Sequence, residues 1–515
     1  MTTAQILAQE VGFDLPDTYN ASRLLWDNLP HHAERPAVIH DDGTLSYRQL
    51  AQEAARIGNK LLQMGCAPGQ RVMLVLSDHP VYPAAVMGAM RAGLVPVLLN
   101  TLSTSEQMAF YCKDSAATAV IASAEFAGLL SDVPCPRLIA EEKPWRDAPA
   151  NLAEHPAKCD DMAFWMYSSG STGMPKGVVH KHRDAAYTAH TYAREILRIT
   201  RDDICFSIPK IFFAYGFGNA VSFPFSVGAA SIVLSDRPTS ARCFDQITRH
   251  RPTILFGLPT LYTALVNDPG IETVDLSSVR LCISAAEVLS ADLAADWKRR
   301  FDQPIIEGLG STEMLHIYLS NTQHAQKQGS AGKAVNGYAI RLVAPDGTVI
   351  NDGEEGVMHV MGLSGASHYW NRPEKTAETM QDGWVNTGDR FMRDADGYYF
   401  FKGRADDLVK VSGQWVYPLE IEWALNDHPL VREACVLALP LPDGRTTIKA
   451  WVTPKDDAGD HENLRADLVR YAKSRLLPHK YPRVIEFRAH LPKTGTDKID
   501  RQALRTEGLQ QGEQT

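Results

Sequence analysis

Ser168-Ser169-Gly170-Ser171-Thr172-Gly173-Met174-Pro175-Lys176-Gly177 decides how the rest of this chain is read. Its glycines let the backbone turn so that consecutive N–H groups can face one anion. Its hydroxyls add donors, and Lys176 adds a positive charge that can reach a polyphosphate. The apolar run Met162-Ala163-Phe164-Trp165-Met166-Tyr167 before it predicts a strand, and Val178-Val179-His180 after it leads into a predicted helix. A glycine-rich turn leaving a strand is a common place to hold phosphate. The stretch is not a Walker A loop, because Met174 and Pro175 separate Gly173 from Lys176. On composition alone it also reads as a polar linker.

Outward from that turn, short apolar strands alternate with helical patterns. Arg71–Leu76, Val95–Leu99, Ala119–Ala122, Ser231–Leu234 and Thr253–Phe256 predict buried strands, and Pro80–Arg91 has helical spacing. Strand–helix–strand repetition implies parallel sheets with covered faces. Near residue 340 the texture changes. Ile340–Val343, Gly356–Val360 and Asp394–Phe401 predict a small β-rich region with turns. Beyond Asp407 the pattern becomes βαβ-like again. The fold class expected is α/β: a large N-terminal body of mixed and parallel sheets with helices, a small β subdomain, and a small α+β C-terminal domain. The expected boundary divides 1–405 from 406–515.

A chain of 515 residues is too long for one core. The net charge of −9 leaves no basic excess for nonspecific nucleic-acid binding. No apolar run reaches the length of a membrane span, and the N-terminus lacks the pattern of a secretory signal. The eight cysteines contain no C-x-x-C pair and several lie in apolar stretches, so buried free thiols in a reducing cytoplasm are expected.

Further polar turns carry chemistry. In Glu307-Gly308-Leu309-Gly310-Ser311-Thr312-Glu313, Thr312 can donate to a phosphate oxygen and Glu313 is a hard oxygen ligand suited to Mg²⁺ on a nucleotide. The same S-T-E also reads as a helix cap. Asn386-Thr387-Gly388-Asp389 reads as an Asx-turn, and Arg404 with Asp406 as a surface ion pair. Lys498 lies in Pro492-Lys493-Thr494-Gly495-Thr496-Asp497-Lys498-Ile499, near the C-terminus.

Taken together and in this order, these stretches resemble the adenylate-forming superfamily of acyl- and aryl-CoA synthetases. The resemblance runs from about Phe164 to Arg501. Lys210-Ile211-Phe212-Phe213-Ala214-Tyr215-Gly216-Phe217-Gly218-Asn219 and Ser311–Asn321 are most similar to the benzoate-CoA ligase branch. The resemblance implies an AMP-forming acid–thiol ligase that takes a benzoate or substituted benzoate, ATP with Mg²⁺, and coenzyme A. A ligase for another small acid and a stand-alone adenylation enzyme loading a carrier protein stay open beside it. It implies Ser168, Ser169, Gly170, Ser171, Thr172, Gly173, Lys176, Ala286, Glu287, Gly310, Ser311, Asp389 and Arg404 around the nucleotide. Lys498, Thr312 and Glu313 would serve catalysis, with Glu313 at the metal. Phe213, Ala214, Tyr215, Leu258, Ala285, Gly308, Gly310 and His316 would line the acyl pocket, where small Ala214, Ala285 and Gly310 would leave a thin slot. His316 reads either as a partner of the acid or as a structural histidine. Asp406 would be the hinge of a mobile C-terminal domain, with Lys410 and Gly413 at the pantetheine tunnel. Ala286 stands where the branch usually has glycine, and Asp497 where many relatives have glycine before the lysine. The resemblance also admits a homodimer.

Overall fold

The computed structural model describes residues 1–168, 175–287, 289–405, 409–411, 414–416, 418–440, 446–455, 459–476, 480–493 and 499–512. Three sheets build the large body. In the first, strands run in the order His368–Tyr369, Lys176–Lys181, Met162–Ser168, Val95–Leu98, Arg71–Val75, Ala119–Ala122 and Arg137–Ile139. The five from Met162–Ser168 onward are parallel, and the two at the other edge are antiparallel. Their apolar runs are buried on both faces, as parallel strands covered by helices must be. The predicted strands and the Val81–Arg91 helix fall where the apolar periodicity put them.

The second sheet has nine strands and runs from Lys333–Ala334 to Gly43–Ser46. Its parallel centre includes Ile254–Gly257, Leu281–Ser284 and Ile305–Gly310. Ile317–Ser320 returns antiparallel beside Ile305–Gly310, with a bulge at Leu309/Gly310. The third sheet is the small β region read from the change of texture near residue 340. Ala339–Val343, Glu355–Met361, Trp384–Arg393, Met380–Gln381 and Tyr399–Arg404 pair antiparallel throughout.

Beyond Arg404 a smaller unit follows. It holds the Val409–Val411/Gln414–Val416 hairpin and a three-stranded sheet of Val431–Pro440, Thr446–Pro454 and Val484–Phe487. Helices Pro418–Asn426, His461–Arg475 and Arg501–Gly512 accompany that sheet, and it has its own apolar cluster around Ile421, Val436, Ala450 and Leu468. Trp423 of its first helix meets Phe401 of the body, ring centroids 6.1 Å apart. Among the described residues no helix is long and apolar enough to cross a membrane. All eight cysteines are free. Six are buried as expected, whereas Cys135 and Cys159 are partly exposed.

Candidate active site

The glycine-rich stretch corrects one expectation. It does not join a strand directly to a helix. Met162–Ser168 and Lys176–Lys181 pair antiparallel, with Ser168 opposite Lys176, so the stretch is the tip of a hairpin, and the helix His182–Thr188 begins only after the second strand. Ser169, Gly170, Ser171, Thr172 and Gly173 lie outside the described residues, as do Asp406, Gly413 and Lys498; of Lys410 only the backbone is described.

Lys176 has neighbours from elsewhere in the chain. The short strand His368–Tyr369 pairs with Val178–Val179, and this brings the Tyr369 ring to 4.4 Å from the Lys176 ammonium. The Tyr369 hydroxyl donates to Glu313 Oε1 at 2.7 Å. Burial lowers the pKa of Lys176, Glu313 raises it again, and Lys375 and Arg404 add to the lowering. Lys176 therefore lies within electrostatic reach of both Glu313 and Arg404.

The S-T-E turn is a cap, as one of its two readings expected. Ser311 Oγ accepts the Met314 N–H at 3.2 Å and caps the one-turn helix Thr312–Met314, which leaves the Thr312 and Glu313 side chains on the half-buried side. A buried pair holds the turn from beneath. His180 Nε2 donates to the Thr312 carbonyl at 2.8 Å, and its Nδ1 lies 3.0 Å from Asp184 Oδ2. Asp184 also accepts the Lys181 N–H at 2.9 Å. The second strand of the phosphate hairpin thus fixes the backbone of the S-T-E turn.

Asp389 and Arg404 come from the third sheet, directly opposite each other in register. Arg404 donates from Nη1 to Asp389 at 3.0 Å and to the Thr387 carbonyl at 3.1 Å. Arg404 thus pairs with Asp389; the Asp406 pairing read from sequence falls on a residue outside the described ones. The Asx-turn of this stretch belongs to Asn386, whose Oδ1 accepts the Gly388 N–H at 2.9 Å. Gly388 has φ +70°, the left-handed conformation that favours glycine, and a Cβ there would also press on the Arg404 guanidinium at 2.8 Å. Fully buried Tyr318 reports the convergence. Burial raises its phenol pKa, Asp389 and Glu313 raise it further, and Arg404 opposes them.

The acyl segment bridges two cores. Phe212 is plain core, while Phe213 is half-buried against the same cluster. Tyr215 and Ala285 pack into the neighbouring cluster with Phe256 and Met314. His316 is buried among Tyr215, Phe223 and Tyr192, with ring centroids at 5.4, 4.3 and 5.5 Å. Its Nε2 faces the Tyr215 carbonyl at 3.3 Å and Asn219 Oδ1 at 3.2 Å, while Nδ1 has no partner among the described residues. Burial pushes its pKa down to about 3, so the ring is neutral. Half of His316 is thus structural, and Nδ1 keeps a bare lone pair.

Two small residues serve backbone packing. A Cβ on Gly310 would meet the His316 carbonyl oxygen at 2.4 Å across the bulge, and one on Gly218 would meet the His316 ring at 2.2 Å. Gly310 therefore admits the neighbouring strand, a different reason for its size than the slot read from sequence. A Cβ on Gly308 would meet the Ile317 side chain at 2.9 Å. Leu258 is half-buried at the N-cap of helix Pro259–Asn267, and Glu287 accepts the Thr260 N–H at 3.3 Å. Ala286 has φ +71°, a left-handed conformation in a residue with a Cβ.

Sequence reasoning missed several supports. Asp78, fully buried after strand Arg71–Val75, accepts the Ile211 N–H at 3.2 Å and lies beside Lys210. Lys210 in turn donates to the Leu234 and Asp236 carbonyls at 2.5 and 2.9 Å. Burial raises Asp78 to about 6 against the pull of Lys210. Glu307, on the strand leading to the S-T-E turn, is raised by burial to about 7. Asp78, His180 and Tyr369 have no local signature, because each acts on a residue far away in the chain.

Three sheets therefore deliver a lysine, a glutamate and an aspartate–arginine pair to one place beside a buried aromatic cluster, an arrangement suited to a nucleotide next to an apolar acid. The model of the AMP-binding enzyme family matches residues 25–370, and that of the AMP-binding enzyme C-terminal domain matches 420–498. The chain belongs to the AMP-binding enzyme family. It is 41% identical to a benzoate–CoA ligase of Thauera aromatica over 96% of this chain and 97% of that one. It is also 41% identical to a 4-hydroxybenzoate–CoA/benzoate–CoA ligase of Rhodopseudomonas palustris, over 91% of this chain and 90% of the relative. Among solved structures, an anthranilate CoA ligase in complex with anthranoyl-AMP superposes with a TM-score of 0.91 at 34% identity, covering 97% of this chain and 99% of that one. A benzoate CoA ligase from Burkholderia xenovorans superposes with 0.88 at 38% identity, covering 95% and 99%.

Proposed function

We propose that this protein is an ATP-dependent, AMP-forming aryl-CoA ligase acting on benzoate or a substituted benzoate. The observation that carries the reading is the convergence of Lys176, Glu313, Asp389 and Arg404 beside the Tyr215–His316 aromatic cluster. A carboxylate is a poor electrophile, and transfer of AMP turns it into a mixed anhydride with a good leaving group. One carboxylate oxygen attacks the α-phosphorus of ATP and pyrophosphate departs. The thiol of coenzyme A then attacks the acyl carbon, and AMP leaves. The carboxylate is its own nucleophile, so the protein's work is positioning and charge neutralisation.

On this reading Lys176 and the hairpin tip hold the phosphates, Thr312 donates to the α-phosphate, and Asp389 accepts from the ribose hydroxyls. Lys498 approaches the reacting carboxylate and α-phosphate. Glu313 is the oxygen ligand that would hold a magnesium ion carried in by ATP, a fit for a cation that commonly takes one or two carboxylates plus phosphate oxygens; such an ion would offset charge on the departing pyrophosphate. We place the hinge at Asp406, dividing 1–405 from 406–515, with Lys410 and Gly413 along the pantetheine path. Phe213, Tyr215 and the His316 cluster offer flat apolar faces to an aromatic ring.

The test is carboxylate-dependent pyrophosphate release from ATP and Mg²⁺, with and without coenzyme A. The panel includes benzoate, hydroxy- and aminobenzoates, heteroaromatic acids and short aliphatic acids. An aryl preference with turnover stimulated by coenzyme A supports the reading. Activity confined to aliphatic acids, or thioester formation only on a carrier protein, overturns it.

A further inference from the structure

Two thiols outside the site lie in contact. Cys112 Sγ and Cys135 Sγ are 3.6 Å apart. Cys112 is on helix Ser105–Ser115, buried with Leu130, Val133 and Val120. Cys135 is partly exposed, between Pro134 and Pro136, in the loop that enters strand Arg137–Ile139. Both flanking prolines fix φ. The loop is pinned at its end, where the Val120 N–H donates to the Pro136 carbonyl at 2.9 Å. The Arg137 guanidinium donates to the Val133 carbonyl at 3.0 Å. The sulfurs are thus held together by a helix and a stiff loop, with one of them open to solvent.

We propose that Cys112 and Cys135 form a reversible disulfide when the protein meets a hydroperoxide. A disulfide needs the sulfurs about 2 Å apart, so the pair must close from van der Waals contact. The pair is also chemically prepared. The hydrogen bond between the two sulfurs lowers the Cys112 pKa against the opposing effect of burial. One thiolate of the pair attacks a peroxide oxygen, forming a sulfenic acid and releasing hydroxide, which takes up a proton to become water. The second sulfur, giving up its proton, displaces the sulfenic hydroxyl as another water and forms the S–S bond. Two thiols are oxidised by two electrons, and one hydrogen peroxide is reduced to two waters.

The link would act on the helix that holds the end of the phosphate hairpin. Asp114, two residues after Cys112, accepts the Tyr167 hydroxyl at 2.8 Å, and its carbonyl accepts the Trp370 indole N–H at 2.7 Å. The Tyr111 and Tyr167 rings lie 4.4 Å apart. Tyr167 immediately precedes Ser168.

The experiment treats the full chain with stoichiometric hydrogen peroxide, then combines intact mass with a non-reducing peptide map. The expected result is loss of two hydrogens, one linked peptide pair containing Cys112 and Cys135, loss of alkylation at both thiols, and recovery of both with dithiothreitol. In Cys135→Ser the two-hydrogen loss disappears. Oxygen adducts at either cysteine without a cross-link, a cross-link to another cysteine, or a two-hydrogen loss that persists in Cys135→Ser overturns the proposal.

Discussion

The Tyr369 hydroxyl donates to the Glu313 carboxylate at 2.7 Å, joining the edge of the first sheet to the turn that leaves the second. Glu313 is thereby oriented by a residue whose ring also covers Lys176. Tyr369→Phe keeps the ring and removes the donor. A hydrogen bond to a charged group contributes about 1.5–3 kcal/mol, so adenylation kcat/KM is expected to fall roughly ten- to hundredfold with the fold intact. Pyrophosphate release beside a thermal melt checks this, and unchanged kinetics would show that Glu313 needs no orienting partner.

His180 and Asp184 are a buried pair beneath the S-T-E turn. Removing one partner of a buried pair leaves the other uncompensated, at a cost of about 3–5 kcal/mol. His180→Ala is expected to lower the urea midpoint accordingly. Adding Asp184→Asn should recover part of the loss, because the stranded charge is gone. A double variant no more stable than the single one contradicts this account.

The contributions of Asp78 and Glu307 to stability should fall as pH rises from about 4 to about 7, opposed by His182 and His316, whose lowered pKa values make their contributions rise over much of the same window. Asp78 is raised to about 6 and Glu307 to about 7 in the folded chain. Both sit above their ordinary values, so the folded state binds more protons across that window, and deprotonation favours unfolding. Asp78→Asn can still accept the Ile211 N–H through its amide oxygen. Relative to the parent chain, its melting temperature should therefore gain as pH rises between about 4 and 6, with the Glu307 part remaining up to about 7. An identical pH profile in the variant would remove Asp78 from the account.

Ala286 adopts φ +71°. A Cβ in the left-handed region costs about 1–2 kcal/mol, partly offset by the smaller backbone freedom of alanine in the unfolded chain. Ala286→Gly is expected to raise stability by about 0.5–1 kcal/mol, read from chemical denaturation. A loss of stability would mean that the methyl group has contacts that outweigh the strain.

The two half-reactions should separate by position. Lys498→Ala is expected to reduce adenylation at least a hundredfold, while thioester formation from supplied aryl-adenylate continues. Asp406→Pro is expected to do the reverse, since a fixed φ resists the proposed rotation. Equal losses of both half-reactions in Asp406→Pro would count against that hinge.

Much of the frame was legible because local runs determine it. Arg71–Val75, Val95–Leu98 and Ala119–Ala122 are short, apolar and bounded by turns, and each is a buried parallel strand. The antiparallel hairpin around the glycine-rich stretch was not legible, since Lys176–Lys181 is as short as the lead-in to a helix and only its pairing with Met162–Ser168 makes it a strand. Gly310 was read by its size, yet its Cβ direction depends on a bulge formed with a strand that follows later. The motif residues were legible, but their supports were not. No spacing announces that His180 will hold the Thr312 carbonyl, or that Tyr369 will reach Glu313. Such contacts exist only once separate sheets have docked.

That docking has a consequence for how the protein is made. Lys176 is synthesised early, Glu313 well after it, and Asp389 and Arg404 later still, each on a different sheet. Contacts of such large sequence separation form late, because the intervening chain must first be ordered. A nascent chain that has already emerged beyond Lys176 carries a phosphate hairpin with nothing opposite it. His180 lacks its carbonyl and Lys176 its aromatic cover until the polypeptide has grown past Tyr369. The body's share of the centre is therefore completed only once Arg404 has been made.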